Sequence, residues 1–315
     1  MGGVKIRGVL KRVNFIFLLG SLLAGCSLNQ TETGVFVEAG DRKIDHVHGL
    51  GYVGEKNELL IPTHKGLVKY SDGIWYETST NKHDYKGFQV VNDGYYSSGH
   101  PENGTGLKNP LGLVKSSHDG KNLEKLSFYG ETDFHFLAAG YYSHVIYAIN
   151  EVPNSELYTG LFYSEDDGKT WKVSRLNGLT SKSISKIAVH PTKSEVIGIS
   201  TKIGLFYSLD YGNNFELISK PNMVSSLHFE EESLLYSSIE EENILLYDLN
   251  LNTGMESKIN LPELDNDNPI IEITSNPKNQ DKLVLVTLKN DIFTTDNRGE
   301  EWEKIANGGK LETTV

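Results

Sequence analysis

Short apolar runs alternate with polar turns along most of the chain, and one turn pattern recurs. The clearest copy, Ser164–Trp171, reads Ser-Glu-Asp-Asp-Gly-Lys-Thr-Trp and follows the apolar run Gly160-Leu161-Phe162-Tyr163. A second copy begins at Ser208, and weaker copies begin at Ser71, Ser116 and Thr295. The apolar runs that precede the turns recur every 39–48 residues, with starting points at Gly66, Gly112, Gly160, Gly204, Asn243 and Asp291. Periods of this length are typical of propellers, solenoids and other repeat arrays.

Each repeat predicts four antiparallel strands. The run before the turn alternates like a strand, the Asp-x-Gly step forces a tight turn, and the aromatic residue after it begins a returning strand. Two more strand-like runs lie upstream, for example residues 185–189 and 195–199, separated by a turn at residues 190–192. This is the pattern of an all-β, six-bladed β-propeller. Seven blades are the alternative if residues 31–43 add a strand to the last blade.

The residues of the turn pattern are assigned to structure rather than to chemistry. An aspartate at the third position can accept backbone N–H bonds and so close the turn. The residues with this assignment in the two clearest copies are Ser164, Asp166, Gly168, Trp171, Ser208, Asp210 and Gly212. The fifth repeat, which begins at Asn243, lacks the pattern.

These turns resemble the Asp-box, or BNR, repeat of bacterial sialidases, of the sortilin ectodomain and of the photosystem II stability factor family. The resemblance covers about residues 65–305. The sequence His-Val-His-Gly-Leu-Gly at residues 46–51 is similar to a narrower group of exported bacterial propellers described as glycosylhydrolase-like. The resemblance implies a propeller fold in which the box is a turn remote from the catalytic face.

The first residues are typical of an exported lipoprotein. Residues 1–25 read as a signal peptide, since four basic residues precede the apolar stretch Val13–Leu23. The following Leu-Ala-Gly-Cys resembles a lipobox, which implies that Cys26 carries the lipid. Residues 26–43 are then a flexible tether and residues 44–315 a single propeller domain on the outer face of the bacterial cytoplasmic membrane. Because Cys26 is the single cysteine, no internal disulfide is expected.

Charge and arginine content narrow the classes of partner. The net charge is −12, and loss of residues 1–25 removes four basic residues and no acidic ones, leaving −16. This excess of negative charge disfavours binding to nucleic acid and to anionic lipid surfaces. The remaining arginines are Arg42, Arg175 and Arg298, all near box turns or before the first blade. They do not form the triad that binds a sugar carboxylate, so sialidase activity is not expected. The single propeller is expected to be a monomer.

Histidines concentrate in the first three repeats, which contain eight of the ten. Strand alternation places His46 and His48 on one side of the first inner strand, and Asp133 and His135 on one side of the third. The remaining candidates fall at strand ends or connecting loops on the same predicted face of the ring. The predicted ligand-binding residues are His46, His48, His64, His83, His100 and His135, with the carboxylates Asp84 and Asp133. His118, His190 and His228 are assigned to structure, and His144 to the opposite face.

Three chemistries fit this set of side chains. His46, His48, His64, His100 and His135 could bind a transition metal such as Zn(II), Cu(II) or Ni(II). Alternatively, Asp84 and Asp133 could serve as the carboxylate pair of a glycoside hydrolase, with Glu102 and Glu131 also available. A third alternative is a polar pocket for a small ligand or glycan. Apart from these chemistries, the alternative function is a scaffold for an envelope protein complex.

Overall fold

The structure, a computed structural model, describes residues 35–54 and 56–313. Within these ranges every regular element is a β-strand, and the strands form six antiparallel sheets. The signal peptide and Cys26 lie outside the described residues. Within the described ranges there is also no helix that is long and apolar enough to cross a membrane.

Each sheet is one propeller blade whose strands follow one another in sequence, from the channel outward. Blade one contains β2 (Gly51–Val53), β3 (Glu58–Thr63), β4 (Gly66–Ser71) and β5 (Ile74–Thr78), with β1 (Phe36–Glu38) added at its outer edge. Blade two contains β6 (Asp84–Val91), β7 (Gly94–His100), β8 (Leu113–Ser116) and β9 (Leu123–Ser127). Blade three contains β10 (Leu137–Ala139), β11 (Ile146–Asn150), β12 (Gly160–Ser164) and β13 (Lys172–Val173).

The last three blades follow the same order. Blade four contains β14 (Ile184–Val189), β15 (Ile197–Thr201), β16 (Gly204–Ser208) and β17 (Glu216–Leu217). Blade five contains β18 (Met223–Phe229), β19 (Ser233–Glu240), β20 (Asn243–Asn250) and β21 (Glu256–Ile259). Blade six contains β22 (Ile270–Asn276), β23 (Asn279–Thr287), β24 (Ile292–Thr295), β25 (Glu303–Asn307) and β26 (Lys310–Leu311). The prediction of six blades is confirmed.

The alternative of a seventh blade is wrong, and the described part of residues 31–43 adds no strand to the last blade, with which only Lys43 forms an isolated bridge, to Lys310. Phe36–Glu38 pairs with β5 at the outer edge of blade one, where Phe36 is opposite Thr78. Blade six instead takes its outermost strand, β26, from its own end of the chain. Strand β1 therefore lies within the range that the sequence assigned to the tether. The reason is that β5 offers an unpaired edge, which an additional strand can cover.

The predicted Asp-box turns form as expected. Asp166 Oδ1 accepts the backbone N–H of Thr170 at 2.8 Å, and Ser164 Oγ accepts the backbone N–H of Gly168 at 2.9 Å. The hydrogen bonds that Asp166 accepts, first that from the Thr170 hydroxyl and then that from the Thr170 backbone, lower its pKa to about 2. Asp210 accepts the N–H of Asn214 at the same 2.8 Å in the second copy. The carboxylate closes the turn between the third and fourth strands of its blade.

The core lies between the blades rather than in one central mass. Six clusters of buried apolar side chains occur, one at each junction between neighbouring blades. The junction of blades six and one closes the ring. There, Trp75 is 2% exposed, and its indole N–H donates to the carbonyl oxygen of Ile305 at 3.2 Å and to that of Glu312 at 3.0 Å.

Candidate functional site at the mouth of the channel

One face of the ring, here called the upper face, carries the loops that join consecutive blades. Its histidines and carboxylates lie where strands begin or end. His46 and His48 precede β2, and His64 follows β3. In blade two, Asp84 is the first residue of β6 and His100 is the last of β7. Asp133 and His135 precede β10.

The first cluster consists of His46, His48, His64 and Asp84. The ring centroids of His46 and His48 are 4.5 Å apart, and those of His48 and His64 are 4.8 Å apart. His64 Nδ1 lies 2.9 Å from Asp84 Oδ1, and His48 Nε2 lies 3.8 Å from the same oxygen. Each of His48, His64 and Asp84 offers one potential metal-ligand atom, and these three atoms all lie within 4.8 Å of one another. The three residues could therefore hold one metal ion.

His48 has the most unusual environment in the first cluster. Its side chain is 15% exposed, and its Nε2 atom is buried without a hydrogen-bond partner. The pKa of His48 is lowered to about 3. Burial is the largest cause, and the nearby His46 and His64 lower the pKa further. Burial and the neighbouring His64 also lower the pKa of His46. At neutral pH the His48 ring is therefore uncharged and can offer a nitrogen lone pair.

The second cluster consists of His100, Asp133 and His135. Asp133 Oδ2 lies 3.2 Å from His100 Nε2 and 3.6 Å from His135 Nε2. The other nitrogen of His100, Nδ1, lies 2.6 Å from Asn109 Oδ1, and His135 Nδ1 lies 3.6 Å from a carboxylate oxygen of Glu151. The two clusters are neighbours, since Asp84 and His100 are directly opposite each other in the pairing of β6 with β7.

Two glycines allow the chain to come this close. Gly87 has a φ of 44°, and a Cβ atom there would lie 2.0 Å from the carbonyl oxygen of Phe134. Gly99 has a φ of 127°, and its Cβ would lie 2.0 Å from the carbonyl oxygen of Asp84. Only glycine fits such contacts at positive φ. Gly87 allows the loop that contains Asp133 and His135 to pack against β6. Gly99 allows the backbone of Asp84 to lie close to β7.

Two cavities open between the clusters. An open groove of about 870 Å³ lies between the loops of blades one and two and includes His64, Asp84 and His100 in its wall. A small cavity of about 20 Å³ is lined by both His48 and His135. Lys186, which also lines this small cavity, forms an ion pair across the channel with Glu272 of blade six. The groove is the wider route from solvent to the histidines.

The remaining histidines take part in local structure. His83 is 1% exposed, and its Nδ1 accepts the backbone N–H of Glu102 at 2.9 Å, so the structure does not bring this predicted ligand into either cluster. His118 and His190 each contact a backbone carbonyl oxygen through Nε2. His144 lies on the opposite face beside Asn92, and His228 contacts Ser275 inside the channel.

Asp84 contacts His64 of the preceding blade rather than His83, its neighbour in the chain. Four further residues near the site were not predicted from the sequence: Lys186, Glu272, Gly87 and Gly99. The positive φ at Gly87 and Gly99 could have been suspected from two glycines within strand-like runs, because such glycines often mark bulges or close backbone approaches.

Of the described arginines, Arg42 lies in the wall of the open groove, and the other two do not. Arg42 forms an ion pair with Glu77 at 2.6 Å and a hydrogen bond with Thr63. Arg298 lies in the last box turn and forms ion pairs with Glu230 and Asp248 of blade five. Arg175 is exposed after blade three.

Comparison with known proteins supports the fold and leaves the family open. No family model matches the sequence, and no curated protein matches it. Among solved structures, the GH74 enzyme of Niastella koreensis is 16% identical with a TM-score of 0.57, over 86% of this chain and 47% of that one. The GH74 xyloglucanase of Xanthomonas campestris is 15% identical with a TM-score of 0.53, over 86% and 46%.

The extracellular domain of BT4673 from B. thetaiotaomicron is 17% identical with a TM-score of 0.54, over 90% of this chain and 36% of that one. The chain therefore spans half or less of the length of these three proteins. At such low identity the similarity establishes the architecture alone. The protein is a six-bladed β-propeller that is similar in fold to the propellers of GH74 enzymes and of an extracellular domain, with a His/Asp cluster at its channel mouth.

Proposed function

We propose that this protein binds a divalent transition-metal ion through His48, His64 and Asp84 at the channel mouth. The observation that carries the proposal is the placement of two imidazoles and one carboxylate with donor atoms within 4.8 Å of one another. The buried Nε2 of His48, which has no hydrogen-bond partner, is the most specific part of it. A buried polar atom without a partner is costly, and a metal ion would satisfy it.

The ligand set favours Zn(II), Cu(II) or Ni(II). Imidazole nitrogen and carboxylate oxygen suit these ions, and bond lengths near 2.0–2.1 Å place tetrahedral ligand atoms roughly 3.3 Å apart. The separations of 2.9 Å and 3.8 Å from Asp84 Oδ1 to the two imidazole nitrogens lie on either side of that value. Small side-chain adjustments would therefore suffice. Three protein ligands leave a fourth position toward the groove, where water or a small ligand could bind.

We also propose that the protein is exported and anchored to the membrane by a lipid. The support for this is the sequence of residues 1–26, with a basic start, an apolar stretch and a lipobox-like Leu-Ala-Gly-Cys. Lipid on Cys26 would hold the propeller at the outer face of the cytoplasmic membrane. The metal site would then be exposed to extracytoplasmic metal.

Metal titration of the purified full-length protein tests the site. After treatment with a chelator, the protein is titrated separately with Zn²⁺, Cu²⁺ and Ni²⁺ by calorimetry. We expect His64→Gln to weaken binding of the preferred ion by about 100-fold or more, because loss of an outer-shell partner already costs 10–100-fold. His144→Gln, on the opposite face, is the matched control and should bind as the wild type does. A wild-type protein that binds none of the three ions would refute the proposal.

The size of the groove favours a second candidate function. At about 870 Å³ it is far larger than one ion, and its wall is mainly polar and charged, which suits a polar ligand such as a glycan. Asp84 and Glu102 both lie in its wall, so a glycan that is bound there would meet carboxylates. Hydrolysis of a glycan panel in the presence of chelator, abolished by Asp84→Asn, would favour a glycoside hydrolase. Absence of turnover on the whole panel would reject it.

A further inference from the structure

The same pair of residues occurs at two successive blade junctions. Between blades one and two, His64 follows the second strand of one blade, and Asp84 begins the inner strand of the next. Between blades two and three, His100 ends the second strand, and Asp133 lies just before the inner strand. The imidazole–carboxylate contacts are 2.9 Å and 3.2 Å. The second cluster therefore repeats the imidazole–carboxylate contact one blade further around the ring, although among the described residues only the first cluster brings three ligand atoms within 4.8 Å of one another.

The two ring nitrogens of His100 face different partners. Nδ1 lies 2.6 Å from Asn109 Oδ1, and Nε2 lies 3.2 Å from a carboxylate oxygen of Asp133. With Nδ1 as the proton donor to the amide oxygen, Nε2 offers a lone pair toward the carboxylate, and a cation between the two atoms would satisfy both.

Asp133 has a second unsatisfied feature. Its side chain is 13% exposed, and its Oδ1 atom is buried without a hydrogen-bond partner. Its Oδ2 atom also faces His135 Nε2 at 3.6 Å, while His135 Nδ1 lies 3.6 Å from Glu151 Oε2. In metal sites, the nitrogen that is not bound to metal commonly donates to an amide or carboxylate oxygen. Asn109 occupies that position for His100, whereas Glu151 lies beyond hydrogen-bond distance of His135, at 3.6 Å.

We infer that the channel mouth holds a second divalent transition-metal ion, bound by His100, Asp133 and His135. The inference rests on the proposed function, since it assigns the same class of ion to a second position of the same mouth. The two sites share a strand pair, because Asp84 and His100 are opposite each other in β6 and β7. They also share the groove, whose wall includes His64, Asp84 and His100. A bound ligand in the groove would thus meet both ions.

Metal stoichiometry of the full-length protein tests the inference. The chelated protein is reloaded with an excess of Zn²⁺, passed through a desalting column and analysed by mass spectrometry for zinc per chain, with circular dichroism to confirm folding. We expect two zinc ions in the wild type and one each in His135→Gln and Asp133→Asn. His64→Gln should also retain one, at the second cluster. His144→Gln is the matched control and should retain two.

The outcomes separate this inference from the proposed function. One zinc in the wild type that is lost in His64→Gln and kept in His135→Gln would overturn the second site and leave the first intact. One zinc that is lost in His135→Gln and kept in His64→Gln would overturn the proposed function. The inference of two ions would fail in that case as well. No zinc in the wild type would overturn the inference of two zinc ions, and the proposed function would fall with it if Cu²⁺ and Ni²⁺ did not bind either.

Discussion

Burial and partners decide what each aspartate and histidine does in this propeller. Asp166 is partly exposed in its turn, where hydrogen bonds from Thr170 satisfy both carboxylate oxygens. Asp84 and Asp133 face imidazoles instead, and Asp133 keeps one buried oxygen without a partner. The same residue type thus closes a turn in one place and offers ligand atoms in another. The two roles differ because Asp84 and Asp133 each contact a histidine of the neighbouring blade, whereas Asp166 does not.

A histidine inside the channel should make stability depend on pH. His228 Nε2 contacts Ser275 Oγ at 3.1 Å, and burial lowers the pKa of His228 to about 4, with Glu230 acting in the opposite direction. The unfolded chain takes up this proton near pH 6.5. The stability that comes from the neutral ring is therefore complete above pH 6.5 and is lost as the pH falls toward 4.

We expect wild-type protein to lose about 1–2 kcal/mol more unfolding free energy than His228→Gln when the pH is lowered from 7 to 5. Urea unfolding at the two pH values measures this difference. His144→Gln, beside Asn92 on the surface, is the control and should behave as the wild type does. An identical pH dependence in wild type and His228→Gln would show that His228 does not titrate differently in the folded state.

At the scale of the element, the blades differ in how they close their outer hairpins. Blade five lacks the Asp box, and Asn250 closes its turn by accepting the backbone N–H of Thr253 at 2.9 Å. In the sixth blade, the box has an asparagine, Asn297, in place of the aspartate, and this side chain accepts the N–H of Glu301 at 2.9 Å. An amide oxygen accepts a backbone hydrogen bond as a carboxylate does, so the hairpin survives the change.

The box turn of blade six also forms ion pairs with blade five. Arg298 Nη2 lies 2.8 Å from Glu230 Oε2 and 2.6 Å from Asp248 Oδ2, and the Glu230 side chain is 1% exposed. Arg298→Ala would leave the Glu230 carboxylate buried with Ser233 as a remaining donor. We expect a loss of about 3–5 kcal/mol of unfolding free energy, measured by urea unfolding.

A double variant provides the control for this prediction. Arg298→Met combined with Glu230→Gln removes the arginine charge and the buried Glu230 charge and leaves only the more exposed Asp248 carboxylate. It should recover a large part of the stability, because most of the cost of Arg298→Ala comes from the uncompensated charge of Glu230. If the double variant were as unstable as Arg298→Ala, packing of the arginine side chain would be the cause instead.

For the whole molecule, the decisive contact is the junction that closes the ring. Blade six takes all its strands from its own end of the chain, so no strand of blade one completes it. Apolar packing around Trp75 and the backbone hydrogen bond from Ile44 to Gly309 join the two blades instead. The closure therefore depends on side chains that are far apart in sequence.

Trp75→Ala should open this junction at a cost of about 3–5 kcal/mol, the usual loss for a large buried aromatic residue. Thermal and urea unfolding measure the loss. Trp302→Ala is the comparison, because Trp302 is only partly buried beside blade five and should cost less. Equal losses in the two variants would show that the closing junction has no special weight in the stability of the ring.

The fold could be predicted from the sequence because its signals are local. Ser164, Asp166 and Gly168 specify a turn through bonds within a few residues, and the alternating runs around them specify strands. Repetition of this unit then gives the number of blades. Local alternation also placed the candidate histidines on one face, which is where His48, His64, His100 and His135 lie.

Only the tertiary structure decided which side chains meet. The contact of His64 with Asp84 and that of His100 with Asp133 join different blades, and so does the ion pair of Lys186 with Glu272. Such contacts depend on the angle between sheets and on the close approach at Gly87 and Gly99. The repeats are too divergent for the sequence to fix these distances. Turn chemistry acts within a few residues, whereas the two clusters depend on how blades pack around the ring.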